Sequence, residues 1–154
     1  MRLDFVKIFV ESTAQLLGEV LGPVVEVGSI AMEPGPVAGD EVMTIIGLVG
    51  KAQGRVIFDM DMVTAVHVAG RMLGEPPPGM TPLVRSSIAE LASMAIGRAI
   101  SRINDDGTTL GMSPPVVITG DNVFSYGDSF ETLVAPLKTI YGEIRVNVMI
   151  EDLN

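Results

Sequence analysis

Apolar residues recur at helical spacing in two long segments of this chain. Within residues 4–21 they fall mostly on one side of a helix, and Gly22 with Pro23 ends it. Residues 83–104 repeat the pattern. The predicted buried side of this second helix is formed by six apolar residues, Ile88, Leu91, Ala92, Ala95, Ile96 and Ala99. The pattern therefore predicts two long amphipathic helices.

A shorter helix is predicted between these two. Asp61 is of a residue type that caps helix N-termini, and Gly74 follows Leu73 where a glycine commonly ends a helix. Residues 75–82 contain four prolines and are predicted to form a rigid connector to the second long helix. Residues 33–39 are rich in proline and glycine and are predicted to be a loop.

Six segments have the composition of β-strands. They are residues 24–32, 42–49, 55–60, 116–119, 130–137 and 143–150. Residues 51–54 are predicted to form a hairpin turn. The last segment alternates cleanly, which is typical of a strand with one wet face, and it could lie at a sheet edge. Together the elements predict an α+β fold with a largely antiparallel sheet, two long helices packed on one face, and a single domain over residues 1–154.

Charge and cysteine content exclude several classes of function. The chain has 10 Lys and Arg against 19 Asp and Glu, a formal net charge of −9, so nucleic acid and anionic membranes are disfavoured as partners. The longest stretch without a charged residue, 107–120, contains two adjacent prolines and is shorter than the roughly 18 apolar residues of a membrane span. Because the chain has no cysteine, a reducing, cytoplasmic location is expected.

One side of the second long helix has an unusual composition. Ser86, Glu90, Ser93, Gly97 and Ser101 lie opposite the predicted buried side, within an arc of about 80°, and are called the polar stripe below. An exposed helix face usually carries Lys, Glu, Gln and Arg, whereas Gly97 costs about 1 kcal/mol relative to alanine. Small residues allow another backbone to approach, so Glu90 would be the one long, charged side chain on a flat surface.

Spacing alone leaves three interpretations of the polar stripe open. It could receive a partner protein. It could be a solvated helix face, or it could form a helix–helix or dimer contact through its small residues.

Other candidate groups carry weaker signals. His67 is the only histidine and is predicted to face solvent, so neither a zinc site nor a serine-hydrolase triad is indicated. Asp59 and Asp61 flank a strand–helix junction, and Asp105 and Asp106 lie in a predicted turn, but neither pair has the spacing of a calcium loop. The glycines around the predicted hairpin match neither a dinucleotide-binding fingerprint nor a phosphate-binding loop.

The polar stripe is also part of an ordered set of motifs. It contains Ser86, then Glu90 after three residues, Ser93 after two more, and Pro115 follows after 21 further residues. This resembles the signature of the CheC/CheX/FliY family of chemotaxis phosphatases, which is Asp or Ser, three residues, Glu, two residues, Asn, and then Pro at the same distance. Four more segments resemble family sequences in the same order, namely residues 46–54, 65–74, 114–117 and 133–136.

The resemblance covers most of the chain but includes only one copy of the signature. In the first helix, Leu16 and Glu19 follow Ser12 at the matching offsets, so the pattern fails there. The chain is therefore more similar to CheX than to CheC. The resemblance, together with the high apolar fraction of 47% and the candidate edge strand, also leads us to expect a homodimer.

The resemblance implies a substrate and a mechanism. The substrate would be a phosphorylated CheY-type receiver domain, whose phosphoaspartate site the signature helix enters. Glu90 would pair with a receiver lysine, and the residue at the Ser93 position would hold the attacking water. Ser86, Gly97 and Pro115 would contact the partner. Mg²⁺ would be carried by the receiver, so this chain would need no cofactor or metal of its own. This is catalysis by positioning, which requires no activated nucleophile.

The chain departs from the family signature at one position. Ser93 stands where the family has Asn, and a serine hydroxyl is shorter and offers one donor rather than the two of an amide. A misplacement of about 1 Å can lower a rate on the order of 100-fold. We therefore expect a CheX-like phosphatase that Ser93 weakens. The alternatives are a non-catalytic receiver-binding module of the same fold and a purely structural homodimer.

Overall fold

The structure is a computed structural model that describes residues 2–33, 37–105, 107–120, 124–125 and 131–152. The predicted turn residue Asp106, the centre of the predicted loop 33–39 and the first residue of the predicted strand 130–137 lie outside these ranges. The helices are α1 (Leu3–Leu21), α2 (Met62–Leu73) and α3 (Pro82–Asn104). The strands are β1 (Glu26–Val27), β2 (Ala31–Glu33), β3 (Val37–Ala38), β4 (Val42–Gly50), β5 (Ala52–Met60), β6 (Leu110–Met112), β7 (Val116–Thr119), β8 (Phe124–Ser125), β9 (Thr132–Thr139) and β10 (Gly142–Asp152).

Eight of these strands form one antiparallel sheet in the order β1-β9-β10-β5-β4-β6. The short strand β2 also pairs with β9, and β7 also pairs with β4, while β3 and β8 form a separate antiparallel pair. The three helices pack on one face of the large sheet, so the predicted α+β class and antiparallel sheet are confirmed. None of the helices in the described residues is both long and apolar enough to cross a membrane.

The caps predicted for α2 are both present. The Asp61 carboxylate accepts the backbone N–H of Thr64 at 2.7 Å, and Gly74 adopts a left-handed φ of 80° that reverses the chain. The Thr64 hydroxyl, which has the larger effect, and the Thr64 backbone N–H both donate to the Asp61 carboxylate and hold its pKa below the usual value. α2 therefore begins and ends where the sequence indicates.

The strand β10 has a different position and environment from the prediction. It lies between β9 and β5, not at an edge. Its predicted wet face is wrong for the second half of the strand, since Asn147 and Met149 are both buried, whereas Glu143 is exposed and Arg145 is half-buried. The alternation of residue types separates an apolar face against the helices from a partly polar, partly buried far face of the sheet.

Two residues just before β4 cover part of the far face. A side chain at Gly39 would collide with Met43, and the backbone N–H of Asp40 donates to the Asp59 carboxylate at 3.2 Å. Asp59 also accepts bonds from Arg145 at 2.7 Å and from the Asn147 amide at 2.9 Å. A buried carboxylate thus takes its hydrogen bonds from protein groups rather than from water.

The Arg145 guanidinium is perturbed by this environment. Burial alone would lower the pKa of Arg145, but the hydrogen bond to Asp59 and the charge of that carboxylate outweigh it, and the pKa lies above its usual value. The Asp59 carboxylate therefore stabilises the charged form of Arg145.

The strand boundaries differ from the prediction in several places. The segment 24–32 is split into β1 and β2, because Pro136 of the facing strand has no N–H to continue the ladder. The predicted turn at 51–54 is shorter, since β4 ends at Gly50, with a φ of 113°, and β5 begins at Ala52. Gly54 instead serves close packing, because a Cβ there would collide with the Met149 carbonyl. Strands β3, β6 and β8 were not predicted, and β3 lies within the segment 33–39 that was predicted to be a loop.

Candidate functional site

The orientation of α3 is fixed at its start and along its buried side. Thr81 caps the helix by accepting the N–H of Val84 at 3.3 Å, and Pro82 occupies the first turn, where no N–H is needed. The six apolar residues predicted to be buried are all 6% exposed or less, as are Val84 and Ile103. The helix is therefore seated on the core by one continuous side.

The polar stripe faces away from this core, as predicted. Ser86, Glu90 and Ser101 are exposed, and Ser93 and Gly97 are half-buried. The structure thus brings four of the five predicted site residues, Ser86, Glu90, Ser93 and Gly97, onto one accessible surface.

Glu90 carries a charge that no other described residue neutralises. The arginines nearest to it in sequence are already engaged. Arg85 donates to the Thr119 hydroxyl at 2.6 Å, and Arg98 pairs with Glu19 of α1. Glu90 is therefore able to form an ion pair with a cation from another molecule.

The two serines beside Glu90 differ in their availability. The Ser86 hydroxyl donates to the Pro82 carbonyl at 3.0 Å, one turn earlier in the helix, so its proton is used internally. The Ser93 hydroxyl makes no hydrogen bond to any other residue in the described ranges. Ser93 is therefore free to donate to, or accept from, a water molecule at the surface.

Gly97 has no packing role within the chain. A Cβ built at this position would meet no described atom within 4 Å. A helix–helix contact through Gly97 inside the chain is therefore excluded among the described residues. Gly97 therefore lowers the stability of α3 by about 1 kcal/mol relative to alanine, and no contact with another described residue requires a glycine there.

Two ion pairs that were not predicted from the sequence hold α3 against α1. Arg98 pairs with Glu19, and Arg102 pairs with Glu11 at 3.1 Å while also donating to the buried Ser12 hydroxyl at 3.2 Å. Exposed pairs of this kind contribute little to stability, roughly 0–1 kcal/mol each. They fix the antiparallel register of the two helices. The eight-residue spacing of Glu11 and Glu19 on one side of α1 was the available signal.

Pro115 lies on a separate segment, between β6 and β7, and is half-buried. The residue two positions before it anchors that segment. Ser113 accepts the N–H of Gly47 through its hydroxyl at 2.8 Å and donates its own N–H to the Gly47 carbonyl at 2.9 Å. Both short strands contact α3, so Pro115 lies on a segment that joins two neighbours of this helix and is not part of the polar stripe.

The remaining candidates lie away from α3. His67 is exposed on α2, where its ring stacks on Tyr141 with centroids 5.1 Å apart. Across the part of the chain that the structure describes, no three His, Asp or Glu side chains are grouped to hold a metal ion. The α3 surface can therefore pair one cation and position one water, but it contains no activated nucleophile.

Comparison with known proteins places the chain in a family. Residues 42–138 match the family model described as chemotaxis phosphatase CheX. A CheY-P phosphatase CheX from Thermotoga maritima is 27% identical over 125 residues, which cover 78% of each chain.

Solved structures show the same fold over nearly the whole chain. A CheC-like superfamily protein from Shewanella sp. PV-4 is similar with a TM-score of 0.88 at 24% identity, covering 98% of this chain and 99% of that one. The CheX–CheY–BeF3–Mg²⁺ complex from Borrelia burgdorferi contains a chain that is similar with a TM-score of 0.84 at 25% identity, covering 98% of this chain and 100% of that one. The family match spans more than half of the sequence, and the chain belongs to the chemotaxis phosphatase CheX family.

Proposed function

We propose that this protein hydrolyses the phosphoaspartate of a CheY-type receiver domain, with the polar stripe of α3 as the surface that enters the receiver's site. The observation that carries the proposal is the position of Glu90, which is exposed, lacks an ion-pair partner among the described residues, and stands on a helix seated firmly on the core. The relatives support it, since the Thermotoga protein is a CheY-P phosphatase and the Borrelia complex joins a CheX to a CheY.

Glu90 and Ser93 have separate tasks in this mechanism. Glu90 pairs with a lysine of the receiver and fixes the angle at which α3 docks. Ser93, three residues further along the same side of the helix, holds a water in line with the phosphorus. The transition state of phosphoryl transfer is loosely bonded and requires little covalent catalysis by the protein. Positioning the water is therefore the main contribution of this chain. Mg²⁺, held by the receiver, neutralises charge on the phosphoryl oxygens.

Ser93 makes the proposed enzyme a slow one. Its hydroxyl reaches less far from the helix than the amide of the family Asn and offers a single donor. The water is consequently held by fewer bonds and farther from its best position. The same observation favours one alternative, a receiver-binding module without catalysis, in which Glu90 still docks but the water is not activated.

Phosphate release from a phosphorylated receiver separates these two functions. Wild-type protein should accelerate the release, and Glu90→Ala should abolish the acceleration by weakening receiver binding. Glu75→Ala, at an exposed acidic residue of the connector before α3, should behave as wild type. Ser93→Ala should reduce the rate while leaving binding intact. If wild-type protein binds the receiver but does not change the release rate, the non-catalytic module is the correct function.

The cellular setting follows from the proposed partner. We place the protein in the cytoplasm, because the chain has no cysteine and its proposed substrate is a signalling receiver. Residues 1–154 are proposed to act as one domain, with Mg²⁺ supplied by the receiver and no metal or cofactor resident on this chain.

A further inference from the structure

Two exposed apolar side chains border Glu90 on α3. The exposed fraction is 57% for Leu83 and 42% for Met94. They lie seven residues before and four residues after Glu90, so all three fall on one side of the helix. The eleven-residue separation of Leu83 and Met94 corresponds to about 16 Å along the helix axis.

Charge does not supply affinity for a phosphorylated partner at this surface. Glu90 is the only charged member of the polar stripe. Arg98 is neutralised by its ion pair with Glu19, and Arg85, which donates to the Thr119 hydroxyl and keeps its charge, lies about 140° around the helix from Glu90. The chain has a formal net charge of −9, and a phosphoryl group is anionic. Long-range electrostatics therefore oppose the approach of the phosphorylated site, apart from the single pair that Glu90 can form.

Apolar contact is the remaining source of affinity. Leu83 lies one turn before the first residue of the polar stripe, and Met94 lies beside its middle, between Ser93 and Gly97, whereas the small side chains of the stripe offer little area to bury. Single exposed apolar residues are common and need no explanation. Leu83 and Met94 differ from such isolated residues because they share one side of α3 with Glu90, the residue proposed to orient the partner.

We propose that Leu83 and Met94 are the apolar contacts of the receiver domain, on either side of Glu90, and that they determine receiver affinity rather than the chemical step. This inference rests on the proposed function and identifies a further part of the same docking surface. Neither residue touches the reacting atoms, so each stabilises the ground state and the transition state equally. Their removal should raise KM and leave kcat unchanged.

The test compares two matched double variants. Leu83→Gln with Met94→Gln removes the proposed contacts and keeps residues that favour a helix. The control is Leu3→Gln with Met32→Gln, because Leu3 is 62% exposed at the start of α1 and Met32 is 47% exposed on β2. α1 runs antiparallel to α3, so Leu3 lies at the opposite end of the helix pair from Leu83.

Two readouts are required, both with the full chain. One is the Kd for a CheY-type receiver saturated with beryllium trifluoride and Mg²⁺, and the other is the dependence of phosphate release on receiver concentration. The Leu83 and Met94 pair should raise Kd and KM about tenfold or more, with kcat within about twofold of wild type, and the control pair should change neither. A second pair with alanine at both positions repeats the comparison without introducing polar groups.

The outcomes separate this inference from the proposed function. If wild-type protein binds the receiver and the Leu83 and Met94 double variants bind it as tightly as wild type, the apolar contacts are refuted. The proposed docking of Glu90 is not affected by that result. A fall in kcat at unchanged KM would also overturn the inference, because it would place these residues in the chemical step. If wild-type protein binds no receiver, the proposed function fails and the inference fails with it.

Discussion

The guanidinium of Arg145 lies 2.7 Å from the carboxylate of Asp59, and the two partners differ in their access to water. The Asp59 side chain is fully buried, whereas that of Arg145 is 33% exposed. Removing either partner should therefore have unequal consequences, since only the arginine can turn to solvent when it is left alone.

Arg145→Met should lower the free energy of unfolding by about 3 kcal/mol, because it leaves a buried carboxylate without its counter-ion. Asp59→Asn should be milder, since the amide oxygen can still accept from Asp40 and the freed guanidinium reaches water. Urea unfolding at pH 7 measures both losses. Equal losses, or a larger loss from Asp59→Asn, would show that the pair is not asymmetric in this way.

Ser93→Asn should accelerate phosphate release by roughly tenfold or more, which is the scale of positioning effects. An amide at this position reaches farther and offers two donors and an acceptor to the water. The fold should be unchanged because Ser93 is half-buried and Ser and Asn have similar helix propensities. The comparison uses one phosphorylated receiver for both proteins. A fast wild-type enzyme that asparagine slows would show that the hydroxyl is itself well suited to the task.

Gly97→Ala should stabilise the protein by about 1 kcal/mol, because the added methyl meets no described neighbour and improves helix propensity. The longer Gly97→Gln should weaken receiver binding about tenfold by obstructing the close approach of the partner. Gly18 of α1 offers a matched control, since its Cβ would also meet no described atom within 4 Å. Gly18→Gln should leave receiver binding unchanged, and equal effects at the two glycines would contradict docking at Gly97.

Asp61→Ala should lower the free energy of unfolding by about 1 kcal/mol at pH 7, because the Thr64 N–H loses its acceptor. The pKa of Asp61 is lowered in the folded protein, so its contribution is complete above its ordinary value of 3.8 and disappears as pH falls through the folded value. Chemical unfolding at pH 7 and at successively lower pH should show the difference from wild type shrinking below pH 3.8. A difference that stays constant with pH would contradict this assignment.

The protein is predicted to form a homodimer, although β10 is not the edge that would mediate it. Among the described strands none pairs with the outer side of β7, where Val116 is 57% exposed and Ile118 is 38% exposed. Light scattering at tens of micromolar should give twice the chain mass, and Ile118→Lys should give monomers, because a charge on an edge strand blocks association. A wild-type monomer at this concentration would reject the prediction.

The predictions from sequence succeeded where one local pattern decides the structure. The caps of α2 and the two sides of α3 depend on residues within a few positions of one another, so the spacing of Asp61, Glu90 and Ser93 was sufficient. The Arg145–Asp59 pair could not be predicted, because it joins strands 86 residues apart and makes a polar face that is buried rather than wet. The free hydroxyl of Ser93 and the empty space at Gly97 likewise could not be predicted, because they depend on which residues distant in sequence pack near α3.

The order in which the strands are synthesised differs from their order in the sheet. β10 follows the other described strands in the chain, yet it lies between β5 and β9 and joins them. The ribosome therefore synthesises β5 and β9 before β10. Until β10 pairs with them, the backbone groups on their facing edges have no strand to bond to. The sheet can close only after β10 has been synthesised, and its dependence on contacts distant in sequence is characteristic of slow folding.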